Sequence, residues 1–254
     1  MGIQIGVSRY MNDTDPRVLM AQMFSECKSD LMKFRRIFLP VDKEVATPSF
    51  QEEWGQILLH GKHHYAVEGF RESGKSGVVL RAFPMHCLTY PSKERQYVVF
   101  IMATQRAANK RLKEIEEEWL NNELLSMNLV RIVEQSQNGF EVILNDENGQ
   151  EMWVRFEAYG KGAAIRGLNS HDTRPSIVLI DDPQDLEDAK SDTVQEGDWE
   201  WFLSDVLFLG KNTRIFMIGN NLGEKCLIER VIERLEIHWC TDTHIGCRRQ
   251  QRMA

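Results

Sequence analysis

The sequence predicts an α/β fold: a mainly parallel central sheet with helices on both faces and an antiparallel β-hairpin insert. Three observations carry that expectation. Short continuous apolar runs at 97–102, 177–180 and 214–218 have the character of strands covered on both sides. Stretches of helical periodicity lie between them, the alternation of a wound sheet. Two Asn-Gly pairs, Asn138-Gly139 and Asn148-Gly149, sit between alternating segments and so mark successive hairpins.

Each element follows in order. Asp15 before Pro16 has the form of an N-cap with proline at the first helical position. Met20, Met23, Phe24, Cys27 and Leu31 then recur at helical spacing, which predicts one amphipathic helix from 16 to about 37. Leu39-Pro40 ends it, and Thr47-Pro48 starts a second helix carrying Phe50, Trp54 and Leu58. Residues 64–68 form a short strand, followed by a glycine-punctuated turn and an apolar helix through Val78, Val79 and Leu80. After the strand at 97–102, Ala108, Leu112, Ile115 and Trp119 share one helical face. The hairpins make a three-stranded insert (130–133, 140–144, 152–156) before parallel strands resume at 177–180 and 214–218. Further helical stretches surround 199–208 and 224–235. The expected organisation is a helical segment at 1–60 packing on an ATPase core at 61–245, then a tail at 246–254.

Composition excludes several classes. Apolar content of 42% and charged content of 27% in 254 residues suit a soluble globular chain. No apolar run approaches the roughly 20 residues that span a bilayer, and no signal peptide is evident. Five cysteines without a CxxC pair fit a reducing compartment better than a disulfide scaffold. A net charge of −7 argues against a nucleic-acid coat protein, though not against local basic patches.

Two motifs carry chemistry. Gly69-Phe70-Arg71-Glu72-Ser73-Gly74-Lys75-Ser76 matches GxxxxGK[ST] in full, between a strand and a helix. Backbone N–H groups of such a P-loop converge on phosphate oxygens, which glycine permits by tolerating positive φ. Lys75 is placed to bridge the β- and γ-phosphates, and Ser76 to offer its hydroxyl to Mg²⁺. The second motif, Ser176-Ile177-Val178-Leu179-Ile180-Asp181-Asp182, puts acids at the carboxyl end of a buried strand, where open α/β sheets bind nucleotides. Asp181 is the Walker-B candidate that holds Mg²⁺, and Asp182 lies where an attacking water is oriented. A strand ending in a solvated acidic loop is the plainer alternative, since Asp185, Glu187 and Asp188 follow.

The order of these parts resembles phage terminase large subunits, the ATP-driven motors that fill viral procapsids with DNA, over about residues 38–240. Besides the P-loop and paired acids, the resemblance rests on three features. Arg71 precedes Gly-Lys-Ser, Arg166-Gly167 precedes the Walker-B strand, and Ile218-Gly219-Asn220-Asn221 ends a further strand. It implies a P-loop NTPase core of the ASCE/RecA-like kind that hydrolyses ATP with Mg²⁺. Asn220 then senses the γ-phosphate and relays its loss. The implied partners are double-stranded DNA, sister motor subunits in a ring, a portal protein and a small terminase subunit, with no membrane. The implied place is the host bacterial cytoplasm, docked transiently on a procapsid. Two departures stand out. The family usually has Glu where this chain has Asp182, and the family's carboxyl-terminal nuclease domain does not fit within this length, so no nuclease activity is expected.

Other residues have two readings each. Arg166 is either an arginine finger reaching a neighbour's γ-phosphate or a salt bridge beside the hairpins. Arg71 acts in cis on the γ-phosphate or lies on the surface. Gln51 contacts adenine, as an upstream glutamine does in related motors, or is an exposed helix glutamine. Phe38 and Phe50 stack on the base or pack in the core. His238, Cys240, His244 and Cys247 have a tempting zinc pattern, but its spacing is tighter than common fingers and the alternation of Ile237, Trp239 and Thr241 suits a strand. Arg248, Arg249 and Arg252 touch DNA or form a frayed tail. Two other functions share the motifs: a superfamily-2-like helicase or translocase, which needs a second RecA-like lobe, and a nucleotide-binding regulatory module with little turnover.

Overall fold

The structure is a computed structural model, and it describes residues 15–39, 47–69, 72–234 and 238–241. Helix α1 (Pro16–Lys28) begins as expected, with the Asp15 carboxylate accepting from Arg17 N at 2.9 Å. It does not run to residue 37. Ser29-Asp30 breaks it, because the Asp30 side chain accepts from Lys33 N at 2.8 Å and caps a new helix, α2 (Leu31–Phe38). A short acid that bonds the local backbone favours caps over helix interiors, and here that preference outweighs the continuous apolar spacing. Helix α3 (Ser49–His60) follows Pro48 and buries Trp54 and Leu58.

Strand β1 (Tyr65–Glu68) leads through the glycine loop into α4 (Lys75–Gly77). That helix widens into a π-helical stretch at Val78–Ala82 and continues as α5 (Phe83–Thr89). Pro84 has no N–H for a regular turn, and Phe83 N bonds Val78 O instead. Then come β2 (Tyr97–Met102) and α6 (Gln105–Leu120), whose buried residues are Ala108, Leu112, Ile115 and Trp119, the four anticipated. Both hairpins form, giving β3 (Leu129–Gln135), β4 (Gly139–Asn145) and β5 (Glu151–Gly160). Strand β6 (Ile177–Asp181), helix α7 (Asp192–Trp201) with a π-helical extension Phe202–Val206, β7 (Arg214–Gly219), α8 (Leu227–Arg234) and β8 (His238–Thr241) follow.

All eight strands form one sheet in the order β3-β4-β5-β2-β6-β7-β1-β8. Its β5, β2, β6, β7, β1 and β8 are mutually parallel, and β4 alone runs against the rest. The insert is therefore less separate than its turns suggest. Strand β5 pairs antiparallel with β4 on one side and parallel with β2 on the other, Tyr97 facing Arg155 and Met102 facing Gly160. At the far edge β3 pairs only with β4, through two register shifts, and leaves Val130, Ile132 and Val133 exposed.

Alternate residues of the central strands feed two cores. Val98, Phe100, Leu179, Phe216 and Ile218 pack under α1–α6, together with Phe34 and Phe38 of α2. Val99, Ile101, Val178, Ile180 and Met217 pack on the other face, under α7 and α8. Phe38 is thus core, and Phe50 lies against Trp54 with ring centroids 5.0 Å apart. Cys27, Cys87 and Cys226 are buried free thiols. No helix among the described residues is long and apolar enough to cross a membrane.

Candidate phosphate-binding site

The register places the chemistry at one end of the sheet. Strand β7 lies between β1 and β6, with Glu68 beside Gly219 and Asp181 beside Ile218. The ends of the three strands therefore meet side by side, and Gly69 N donates to Gly219 O at 3.0 Å across the gap.

The glycine loop takes the conformation its motif demands. Gly74 sits at φ +75°, and a Cβ there would come within 2.7 Å of Gln51 Nε2, so a side chain is excluded twice over. Glu72 is also left-handed at φ +67°. Gln51 is no exposed helix glutamine. It is buried, donates from Nε2 to Ser73 O at 2.7 Å, and accepts from Arg35 Nη1 at 2.9 Å. Helices α2 and α3 thereby brace the loop from behind. Phe70 and Arg71 lie outside the described residues.

Lys75 is buried and converges on the other motifs. Its Nζ donates to Asn220 Oδ1 at 2.8 Å and to Asp182 Oδ1 and Gly69 O at 3.4 Å each. Ser76 Oγ donates to Asp181 Oδ2 at 2.9 Å. The other oxygen, Asp181 Oδ1, is buried with no hydrogen-bond partner among the described residues, as is Ser73 Oγ. Burial, with repulsion from Asp182 behind it, pushes the Asp181 carboxyl up from 3.8 to about 6. A buried acid with one oxygen on the P-loop serine and the other unsatisfied fits a divalent cation beside Ser76. Among the described residues there is no cluster of three or more His, Cys, Asp or Glu that could hold a metal.

Asp182 turns the chain sharply at φ +40°, and its N–H donates to Ile218 O at 3.0 Å. Its Oδ1 accepts from both the backbone N and the side-chain Nδ2 of Asn220, at 3.0 and 3.1 Å. Its side chain remains 40% exposed. The expected P-loop lysine and serine, both acids and Asn220 are thus brought together.

Arg166 is not brought to them. It lies exposed on the 161–176 loop after β5 and makes no ion pair among the described residues. Arg174 Nη1 instead donates to the carbonyls of Arg166 and Leu168, at 3.1 and 3.0 Å. The zinc pattern fares differently by position: His238 and Cys240 lie on β8, parallel to β1, while His244 and Cys247 are outside the described residues. The terminal arginines Arg248, Arg249 and Arg252 are outside them too.

One group escaped the sequence entirely. Gln184, two residues past Asp182, is buried and bonds Asp198 Oδ2 at 2.7 Å, while its Oε1 accepts from Leu227 N. An amide in a run of acids carries no periodicity and matches no motif, so only the packing of α7 and α8 around it discloses its place.

No family model matches the sequence, and no curated protein does. Solved structures are similar. The HK97 bacteriophage large terminase aligns over 84% of this chain and 43% of its own, at 13% identity and a TM-score of 0.52. The large terminase ATPase domain of Thermus phage P74-26 aligns over 72% of this chain and 68% of its own, at 13% identity and a TM-score of 0.42. S. cerevisiae Dbp5 bound to Gle1 and IP6 aligns over 84% and 50%, at 11% identity and a TM-score of 0.49. The chain spans less than half the length of the HK97 protein. Phage large terminases are therefore among its structural neighbours, and what it shares with the HK97 protein is the RecA-like α/β fold.

Proposed function

We propose that this chain is a Mg²⁺-dependent ATPase, the motor domain of a phage DNA-packaging terminase large subunit. The observation that carries the reading is the convergence of Lys75, Ser76, Asp181, Asp182 and Asn220 at adjacent strand ends. In this reading the loop N–H groups of 69–76 cradle the ATP phosphates and Lys75 stabilises charge on the transferred group. Ser76 and Asp181 would hold Mg²⁺, which supplies charge neutralisation at the phosphate oxygens. Asp182, whose side chain is partly open to solvent, orients the attacking water. Asn220, bonded to both Lys75 and Asp182, senses the γ-phosphate. Gln51 sets the loop's shape from behind, and Arg71 and Arg166 are the candidate fingers. Arg166, exposed and without an ion pair among the described residues, suits action on a sister subunit's nucleotide. Double-stranded DNA is the track, with a portal protein and a small terminase subunit completing a machine that works in the host cytoplasm.

The test is ATP hydrolysis with and without double-stranded DNA, over a range of protein concentrations. Turnover should depend on Mg²⁺, rise with assembly and respond to DNA. Arg166→Ala subunits mixed with Lys75→Ala subunits should regain activity, since one lacks only the finger and the other only its own site. ATP binding without turnover under all these conditions would mark a nucleotide-binding switch instead. No rescue in any mixing ratio would remove the trans role of Arg166.

A further inference from the structure

Three loops emerge from the sheet at the phosphate end and carry Arg166, Asp182 and Asn220, after β5, β6 and β7 respectively. A single chain of buried polar contacts joins all three. Lys161, which opens the β5 loop, donates from Nζ to Asp198 Oδ2 of α7 at 2.9 Å and to Asp188 Oδ2 at 2.7 Å. That Asp198 oxygen also accepts from Gln184 Nε2 at 2.7 Å, on the β6 loop. Gln184 Oε1 in turn accepts from Leu227 N, the first residue of α8, where the β7 loop ends. Lys161 and Asp198 are only 13% and 10% exposed along their side chains. Two further contacts strengthen the hub: Trp201 Nε1 of α7 donates to Ala163 O at 2.9 Å, and Arg230 of α8 pairs with Glu196 of α7 at 2.8 Å.

Surface loops ordinarily fold independently, and a buried polar chain is stable only when each member keeps its partners. Here both ends of the Gln184 amide and the shared Asp198 oxygen are committed to different loops. Displacing Lys161, Gln184 or Leu227, where these loops begin or end, leaves a buried or half-buried donor or acceptor unpaired unless the others rearrange with it. We infer that Gln184, Asp198 and Lys161 are positioning residues that couple Asp182 and Asn220 at the chain's own nucleotide to the loop that presents Arg166. The inference rests on the functional reading above and deepens it. Nucleotide state at one site is passed through α7 to a loop 161–176 that faces outward.

Hydrogen–deuterium exchange on the full chain tests this without relying on activity. The probe is ADP with Mg²⁺ and beryllium fluoride, added to the unaltered chain and to Gln184→Met, which keeps the bulk and removes both hydrogen bonds. The unaltered chain should gain protection at the P-loop and also at 161–176. Gln184→Met should keep the P-loop response and lose the response at 161–176. Asp198→Asn is a milder second variant, which weakens the tie to Lys161 and should blunt the distant response in the same direction. The kinetic counterpart is a kcat reduced about ten-fold with KM nearly unchanged, because the nucleotide contacts themselves remain. Gln184→Met and Lys161→Met combined should lose less than the sum of their separate losses, as members of one network do. A full response at 161–176 in folded variants, or additive kinetic losses, overturns the coupling while leaving the ATPase reading intact. No protection at the P-loop in the unaltered chain overturns the ATPase reading and the coupling with it.

Discussion

Two buried polar clusters sit on the same sheet and are built on opposite principles. In the β3–β5 meander, Arg155 satisfies three carboxylates at once: Glu134 at 2.7 Å, Glu141 at 2.9 Å and Glu157 at 2.7 Å. Tyr97 and Tyr159 donate to Glu157, and His171 bonds Glu141 at 2.9 Å while its ring stacks on Trp153. At the phosphate end, by contrast, Asp181 Oδ1 and Ser73 Oγ are buried with no hydrogen-bond partner among the described residues. A charge cluster that closes on itself holds structure together. One that leaves a buried atom unsatisfied is shaped for something that arrives from outside.

The contrast predicts that mutations in the two clusters damage different properties. Arg155→Met should be the most damaging to stability, about 3–5 kcal/mol, because it strands buried carboxylates without a cation. Turnover per folded molecule should survive, and a melting curve paired with active-site titration separates the two quantities. If Arg155→Met melts normally, the meander is not the structural half of the pair. Lys75→Ala should do the reverse, lowering hydrolysis by about 10³-fold, the upper end for one transition-state donor, with little change in melting.

Next in size is Asp182→Asn, which keeps the outline of the side chain but removes the charge. It should lower kcat by about 10²-fold with ATP affinity little altered. Asp182→Glu is its control and should retain activity if the turn yields by about one carbon–carbon bond length. Normal hydrolysis by Asp182→Asn would move the search for the carboxylate to Asp185 or Glu72.

The smallest effect concerns Asp181 and has a pH signature. Because burial and Asp182 raise this carboxyl from 3.8 to about 6, the folded chain retains a proton that the unfolded chain releases inside that window. Stability should therefore fall as pH rises from 3.8 to 6, and the penalty is complete above 6. With chelator present, Asp181→Asn should gain about 2–3 kcal/mol at pH 8, and the gain should fade as pH approaches 4. A gain that does not vary with pH would mean the unpaired oxygen is not costing the fold its charge.

Much of this architecture was legible in residue order, for physical reasons that also explain the gaps. Continuous apolar runs marked β2, β6 and β7 because strands covered on both faces need them, and Lys75, Ser76, Asp181 and Asp182 stood out as candidates because they belong to two contiguous motifs, which the fold brings together. Periodicity failed at Ser29-Asp30, where a local cap overrode a regular apolar spacing. It failed again at β5, whose alternating face toward β4 hid a second partnership with β2. The Gln184 network was invisible because its members are 23 and 14 residues from Gln184 in sequence, and none belongs to a motif. Gln51 was visible as a candidate, yet its buried seat behind the P-loop depends on how α2 and α3 pack.

Strand β3 has one more consequence, for how the molecule keeps to itself. An outer strand offers bare N–H and C=O groups as a template on which a foreign strand can add, and exposed Val130, Ile132 and Val133 would make that addition greasy as well. The shifts between Leu129 and Arg131 and between Ile132 and Glu134 spoil the template, since a straight incoming strand cannot match a ladder that slips twice within seven residues. Arg131 and Glu134 add charge at the same slips. The irregular edge that looks like a flaw in the sheet thus acts as its guard against aggregation.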